Sequence, residues 1–170
     1  RRQRVDWQRE ASVDFATHRT AEGLAAYRDH GNISFAETGE DARGQIAERL
    51  AEQRPAGLPP LNVCLQVNIS RETTKSGVLP EDTLALAREI APLPSLALRG
   101  LMAIPAPAET QEAQRKPLAE LRALLETLQA ALPDAPLDTL SMGMSDDLEA
   151  AILEGATLVR LGTAIFGARS

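Results

Sequence analysis

Apolar and polar residues form regular blocks along residues 45–170, and these blocks predict strands and helices in turn. Largely apolar runs predict four strands, at 61–69 (LNVCLQVNI), 98–104 (LRGLMAI), 138–143 (DTLSMG) and 157–162 (TLVRLG). Helical spacing predicts helices over 46–54, from Pro80, from Pro117 along a leucine stripe to 132, and over 145–155. Such alternation is typical of β-α-β units on a parallel sheet, in either a doubly wound sheet or a (β/α) barrel.

Residues 1–44 follow a different pattern. They contain only four Val, Ile or Leu residues and show no sustained periodicity, so they cannot bury much aliphatic surface by themselves. A short helix around 17–30 is the one element that the spacing suggests there. We therefore divide the chain into an atypical segment, 1–44, that is either disordered or miscalled, and an α/β part, 45–170.

Composition excludes several classes of function. The net charge is −6 and no basic block is present, which disfavours nucleic-acid binding. No apolar run approaches the roughly 18–20 residues that span a bilayer. The single cysteine, Cys64, fits a reducing cytoplasm and a buried core position. His18 and His30 lie far apart in sequence with no cysteine partner, so we expect no metal site.

The candidate functional residues lie where the last two predicted strands end, because functional sites form at the carboxyl ends of parallel strands. Ser145 is placed to cap a helix whose start could bind phosphate. Gly162 and Thr163 would let the backbone approach the same phosphate closely. Arg160 would point into the barrel or cleft, where it needs an acceptor.

Structural roles remain open for each of these residues. Ser145 caps a helix in any fold, Gly162 could form a tight bend, and Arg160 could pair with a core carboxylate such as Glu149. Asp146 and Asp147 place negative charge beside the proposed phosphate, so their side chains must turn outward.

The blocks LNVCLQVNIS with TTKSG, LRGLMAIPAP, LSMGMSDDLEAAI and GATLVRLGTAIFGAR resemble the YggS/PROSC-type pyridoxal 5′-phosphate (PLP) homeostasis proteins, over about three quarters of the chain. The resemblance implies the second half of a (β/α) TIM-type barrel of the alanine racemase N-terminal kind, with PLP as cofactor. It implies that Ser145, Gly162 and Thr163 hold the cofactor phosphate and that Arg160 faces the pyridine nitrogen. The family has no established catalysis, and its implied partners are PLP and PLP-dependent apo-enzymes.

One family feature is missing from this chain. The block that carries the family's Schiff-base lysine, which resembles AVSKTKP, is absent, and the chain starts at Arg1 rather than Met. Of the two lysines present, Lys75 matches the family's Lys-Ser-Gly loop, which is not the Schiff-base site, and Lys116 stands beside Pro117. We therefore expect a truncated protein that binds PLP non-covalently at best, and we favour a non-catalytic role over an enzyme. The alternatives are a PLP-dependent racemase-like enzyme and a remnant that no longer binds PLP.

A half barrel would also expose two strand edges. We expect low stability, swapping or dimerisation unless residues 1–44 cover an edge.

Overall fold

The computed structural model describes residues 25–29, 32–36, 45–54 and 57–161. Four helices and five strands follow one another in these ranges, with a single 3-10 turn (Pro80–Asp82) leading into the second helix. In chain order they are β1 (Ala25–Asp29), β2 (Asn32–Ala36), α1 (Gln45–Gln53), β3 (Leu61–Gln66), α2 (Thr83–Ile90), β4 (Leu96–Met102), α3 (Gln111–Ala131), β5 (Thr139–Ser141) and α4 (Leu148–Leu153).

The strands form one sheet in the order β1-β2-β3-β4-β5. β2, β3, β4 and β5 run parallel, and β1 pairs antiparallel with β2. From β2 onward each strand joins the same growing edge, which is the order of a (β/α) barrel; a doubly wound sheet reverses its order at a switch point. β2 also covers the edge of β3 that a half barrel made of residues 45–170 would expose.

One face of the sheet packs against all four helices, and we call it the helix face. Alternate residues of β3, β4 and β5 point to it, as the side-chain period of two requires. They join helix residues such as Leu86 and Leu121 in one apolar core. The helix-face residues of these three strands, and of the position directly after each strand, are Leu61, Val63, Leu65, Val67, Leu96, Leu98, Leu101, Ala103, Leu140 and Met142.

The opposite face is mixed in chemistry, and we call it the polar face. Its residues alternate with those of the helix face along the same strands: Asn62, Cys64, Gln66, Arg99, Met102, Thr139 and Ser141. Cys64 and Met102 are buried but do not belong to the helix-face core.

A β-bulge at Arg99 lets the leucines before and after it on β4 point to the same helix face. Leu98 pairs with Val63 and Gly100 pairs with Cys64, so Arg99 is an extra residue on β4. Gly100 is required there because a Cβ would lie 1.8 Å from the carbonyl oxygen of Thr139. The bulge shifts the alternation by one residue, so that Leu98 and Leu101 point to the same side.

Two predicted elements of the α/β part begin elsewhere than expected. Pro117 does not open the long helix; α3 begins at Gln111, and Pro117 lies inside it. The hydroxyl of Thr110 accepts the Ala113 N–H at 3.2 Å and so caps the helix. The last helix begins at Leu148 rather than at 145, with Asp147 at its N-cap position, so the prediction that Ser145 caps it is wrong.

α4 ends at Leu153, two residues before the predicted end of the helix. Gly155 has φ +85° and follows the C-cap residue Glu154. The N–H of Gly155 donates to the Ile152 carbonyl at 3.0 Å, and the N–H of Ala156 donates to the Ala151 carbonyl at 2.9 Å. This pair of bonds is a Schellman motif, which glycine favours.

Two further predictions need correction. Residues 25–29, in the helix predicted over 17–30, form β1 instead; the rest of that helix lies outside the described residues. The predicted strand at 157–162 is reduced, as far as residue 161, to one parallel bridge between Leu158 and Ser141.

Candidate functional site

The carboxyl ends of β4 and β5 meet the segment 157–161 at one edge of the sheet. Three backbone bonds join the segment to β5 and the residue after it: Thr157 N–H to Leu140 O at 3.0 Å, and Leu158 N–H to Leu140 O and Met142 N–H to Leu158 O, both at 3.1 Å. The Arg160 N–H then donates to Gly143 O at 3.0 Å. Residues 157–160, which precede the last predicted strand exit, therefore lie beside the exit of β5.

Arg160 lies across the ends of β4 and β5. Its Nη1 donates to the Ser141 carbonyl oxygen at 3.0 Å and to Ser141 Oγ at 2.6 Å, and its Nη2 donates to the Ala103 carbonyl oxygen at 3.0 Å. These are the acceptors that a partly buried guanidinium needs. Glu149, the carboxylate considered as a partner, is exposed and is not part of the core.

Ser145 lies in the turn between β5 and α4, and is half-buried. Because α4 begins only at Leu148, Ser145 would contact a phosphate from this turn and not from a helix start. Asp146 is exposed, as the phosphate hypothesis requires. Asp147 does not simply turn outward: its Oδ1 accepts the Met144 N–H at 2.6 Å, so the carboxylate occupies an amide of this turn.

Gly162 and Thr163, the other two residues expected to hold the phosphate, lie outside the described residues. The structure therefore brings together Arg160 and the turn that contains Ser145. These two features form the part of the predicted site that can be described.

The loop after β3 is held by a residue that the sequence did not single out. Asn68 is buried; its Nδ2 donates to the Glu72 carbonyl at 2.7 Å and to the Lys75 carbonyl at 3.3 Å, and its Oδ1 accepts the Glu72 N–H at 3.2 Å. Gly77 closes the loop at φ +120°, where a Cβ would lie 2.8 Å from the Asn68 nitrogen. The Asn and Gly letters alone could have suggested a turn, but not a side chain that organises it.

The same loop brings Lys75 to the carboxyl end of the sheet. Its Nζ lies 3.3 Å from the Ile104 carbonyl oxygen, to which it donates, and 2.9 Å from Glu72 Oε1. The contact with Glu72 is an ion pair that is not aligned as a hydrogen bond. One of the two lysines of the chain therefore lies at the end of the sheet where PLP is expected.

At the amino end, the polar face carries a second arginine. Arg99 forms hydrogen bonds with both carboxylate oxygens of Asp138, and its Nη1 lies 3.3 Å from Asn62 Oδ1. The hydrogen bond from Arg99 lowers the pKa of Asp138. Burial, as the main cause, raises the pKa of the Cys64 thiol to about 12, although the positive charges of Arg99 and Arg160 act to lower it. The predicted buried position of Cys64 is confirmed, and its thiol is protonated at neutral pH.

A buried carboxylate joins α3 to the end of α4. Glu154 Oε1 lies 2.7 Å from Arg115 Nε, and Oε2 lies 2.9 Å from Arg122 Nη1. Its side chain is only 4% exposed, whereas the two arginines are half-exposed. This cluster ties the end of α4 to α3.

Two features are absent from the described residues. No group of three or more His, Cys, Asp or Glu side chains among them could hold a metal ion. No helix in the described ranges is long and apolar enough to cross a membrane.

Comparisons with known proteins address the same part of the chain. A family model of the alanine racemase N-terminal domain matches residues 42–170. Proteins named pyridoxal phosphate homeostasis protein from Pseudomonas aeruginosa and Pasteurella multocida are 65% and 56% identical to the chain over 127 residues. Each match covers 75% of this chain and 53% or 54% of the relative, so the chain spans about half the length of these curated relatives.

Solved structures agree with this assignment. PipY of Synechococcus elongatus PCC7942 was solved without PLP (30% identity, TM-score 0.69) and with PLP bound (31% identity, TM-score 0.64). Each match covers 81% of this chain and 61% of PipY. Alanine racemase of Clostridium difficile 630, at 17% identity and TM-score 0.58 over 81% of this chain and 36% of that one, shares the fold. The chain is thus a partial (β/α) TIM-type barrel that belongs to the alanine racemase N-terminal domain family, and its resemblance to the pyridoxal phosphate homeostasis proteins is confirmed.

Proposed function

We propose that this chain binds PLP at the carboxyl end of its sheet and takes part in intracellular PLP homeostasis. The observation that carries the proposal is Arg160, held by Ser141 and Ala103 beside the turn that contains Ser145. Relatives named for PLP homeostasis and a structural neighbour with PLP bound support it.

The donors at this edge suit the cofactor. Arginine only donates hydrogen bonds, so a ligand atom that faces Arg160 must be an acceptor, such as an unprotonated ring nitrogen. Ser145 in the adjoining turn, together with Gly162 and Thr163, would hold the phosphate. When bound, PLP supplies an aldehyde and an electron-withdrawing ring. An unprotonated ring nitrogen weakens that ring as an electron sink, which favours carrying PLP over broad carbanion chemistry.

We propose that the residues of this chain hold PLP without a covalent bond, since neither of its two lysines matches the family's Schiff-base position. Lys75 is the lysine closest in place to the site, and its ammonium group is engaged with Glu72 and Ile104. We further propose that PLP-dependent apo-enzymes receive the cofactor and that the protein works in the cytoplasm. The single thiol, buried and protonated, fits a reducing compartment.

Calorimetric titration of the purified chain with PLP, pyridoxal and inorganic phosphate tests the proposal. We expect PLP to bind more tightly than either smaller ligand, because it alone engages both parts of the site. Arg160→Gln should weaken PLP binding about tenfold or more, the effect of losing a hydrogen bond to a charged group. Arg88→Gln, which removes an exposed charge from α2, is the matched control and should bind as the parent chain does.

A second variant, at Asp147, should change the affinity for PLP in the opposite direction. Asp147→Asn keeps an oxygen that can accept the Met144 N–H but removes the negative charge from the turn. If the phosphate lies at this turn, the variant should bind PLP and inorganic phosphate several-fold more tightly, and the gain should shrink as salt is added.

Other outcomes would decide between the alternatives. No binding of PLP by the folded chain would indicate a remnant. Borohydride reduction that leaves a mass adduct on Lys75 or Lys116 would show covalent attachment and contradict the non-covalent mode. Racemisation of alanine in the presence of PLP would show a racemase-like enzyme.

A further inference from the structure

We infer that Ser141 is a positioning residue whose hydroxyl sets the orientation of the Arg160 guanidinium toward the ligand's ring acceptor. The inference rests on the proposed function, since it assigns a role within the same site. Ser141 is the last residue of β5, points to the polar face and is 5% exposed.

Arg160 takes over the hydrogen bonding where the pairing of β4 with β5 ends. The last backbone bond between these strands runs from Ala103 N–H to Ser141 O at 3.2 Å. Beyond it, Nη2 of Arg160 bonds to Ala103 O, and Nη1 bonds to Ser141 O. The guanidinium therefore bridges the two strand ends and lies in place of the next backbone contact.

Of these three acceptors of Arg160, the Ser141 hydroxyl is the one that belongs to a side chain. The carbonyl oxygens of Ala103 and Ser141 belong to the backbone and persist in any variant. Oγ lies 2.6 Å from Nη1, so that this nitrogen has both acceptors on one residue. Three bonds on two nitrogens fix the plane of a guanidinium more tightly than two, and the plane decides where its N–H groups point.

This positioning role predicts an effect that depends on the ring nitrogen of the ligand. The ligands to compare are PLP and a benzene analogue that keeps the aldehyde, hydroxyl and phosphate but lacks the nitrogen. Ser141→Ala should weaken PLP binding about tenfold and change analogue binding by less than about twofold. Ser141→Thr, which restores a hydroxyl, should recover most of the loss.

The pH profile of PLP binding gives a second readout. Protonation of the ring nitrogen removes the acceptor that Arg160 requires, so affinity for the parent chain should fall as pH decreases through the pKa of that nitrogen. In Ser141→Ala the fall should be shallower. The matched control is Thr139→Val. It removes a hydroxyl on the same face of β5, but this hydroxyl bonds to Asp138 and not to Arg160.

The outcomes separate this inference from the proposed function. If the parent chain binds neither ligand, the proposed function fails. If the parent chain prefers PLP and Arg160→Gln abolishes that preference, but Ser141→Ala keeps it, the positioning role is overturned while PLP binding stands. Equal losses for both ligands in Ser141→Ala would mean a purely structural role. Should Ser141→Ala not fold, Ser141→Cys, with a weakly accepting thiol, takes its place with the same expectations.

Discussion

The two faces of the sheet are formed by alternate residues of the same strands, but their side chains need different surroundings. On the helix face, Val63, Leu65 and Leu101 are fully buried under helices and need no partner beyond shape. On the polar face, Arg99 and Arg160 each need specific acceptors, which come from neighbouring strands. Stability therefore depends chiefly on the helix face, and the groups able to recognise a ligand lie on or beside the polar face.

The largest effect should come from truncating the helix face. Leu65→Ala should lower the free energy of unfolding by about 4 kcal/mol, since Leu65 is fully buried and a cavity would remain. Its neighbour Cys64 is also buried but points to the polar face, and Cys64→Ala should cost about 1 kcal/mol. Denaturant unfolding of both variants measures the difference.

Comparable losses in Leu65→Ala and Cys64→Ala would contradict the division of labour between the faces. Such a result would mean that the packing of the polar face contributes as much to stability as the apolar core does.

A second prediction concerns the bulge that assigns residues of β4 to the two faces. Gly100→Ala should lower the free energy of unfolding by about 3 kcal/mol, because the new Cβ would meet the Thr139 carbonyl oxygen and force β4 and β5 apart. Gly155→Ala is the control: its φ is also positive, but its Cβ would meet no atom within 4 Å, so the cost should be about 1 kcal/mol. If both variants unfold alike, backbone conformation and not the close approach of β5 explains the glycine.

The sequence pattern predicted the parts of the fold that depend on local periodicity. The apolar run at 61–69 contains β3, and the leucine stripe after Pro117 gives the buried positions of α3. The start of α3 was missed because Pro117 was read as a helix opener, although Thr110 has a side chain suited to capping. The bulge was missed too, yet the change of phase between Leu98 and Leu101 was visible in the letters.

The candidate site was predictable only in part. Arg160 could be named because an arginine in an apolar strand segment needs an acceptor. Its acceptors could not be named, since Ser141 and Ala103 lie 19 and 57 residues away in sequence. The sequence predicts Ser145 as the helix cap, but Asp147 occupies the N-cap position; Ser and Asp are both common there, so residue type alone does not choose between them.

The smallest effect should come from the polar face itself, at the Arg99–Asp138 pair. The Arg99 hydrogen bond lowers the pKa of Asp138 below its ordinary value of 3.8, so the folded state favours the charged carboxylate. That stability is present above about pH 3.8 and is lost as pH falls through the lower folded-state pKa. Since the Asp138 side chain is 55% exposed, solvent screens the pair, and Asp138→Asn should cost less than about 1 kcal/mol at pH 7.

Unfolding of Asp138→Asn and the parent chain at pH 7 and at pH 2–3 would test this, with the exposed Asp134→Asn as control. The two chains should converge in acid, where Asp138 of the parent is itself protonated. A difference that persists undiminished in acid would mean that Asp138 stabilises the fold through its shape and hydrogen bonds rather than its charge. A difference of several kcal/mol at pH 7 would instead make the polar face a major source of stability. In that case ligand recognition and folding could not be assigned to separate faces, and variants of Arg160 and Ser141 would have to be judged first by their effect on the fold.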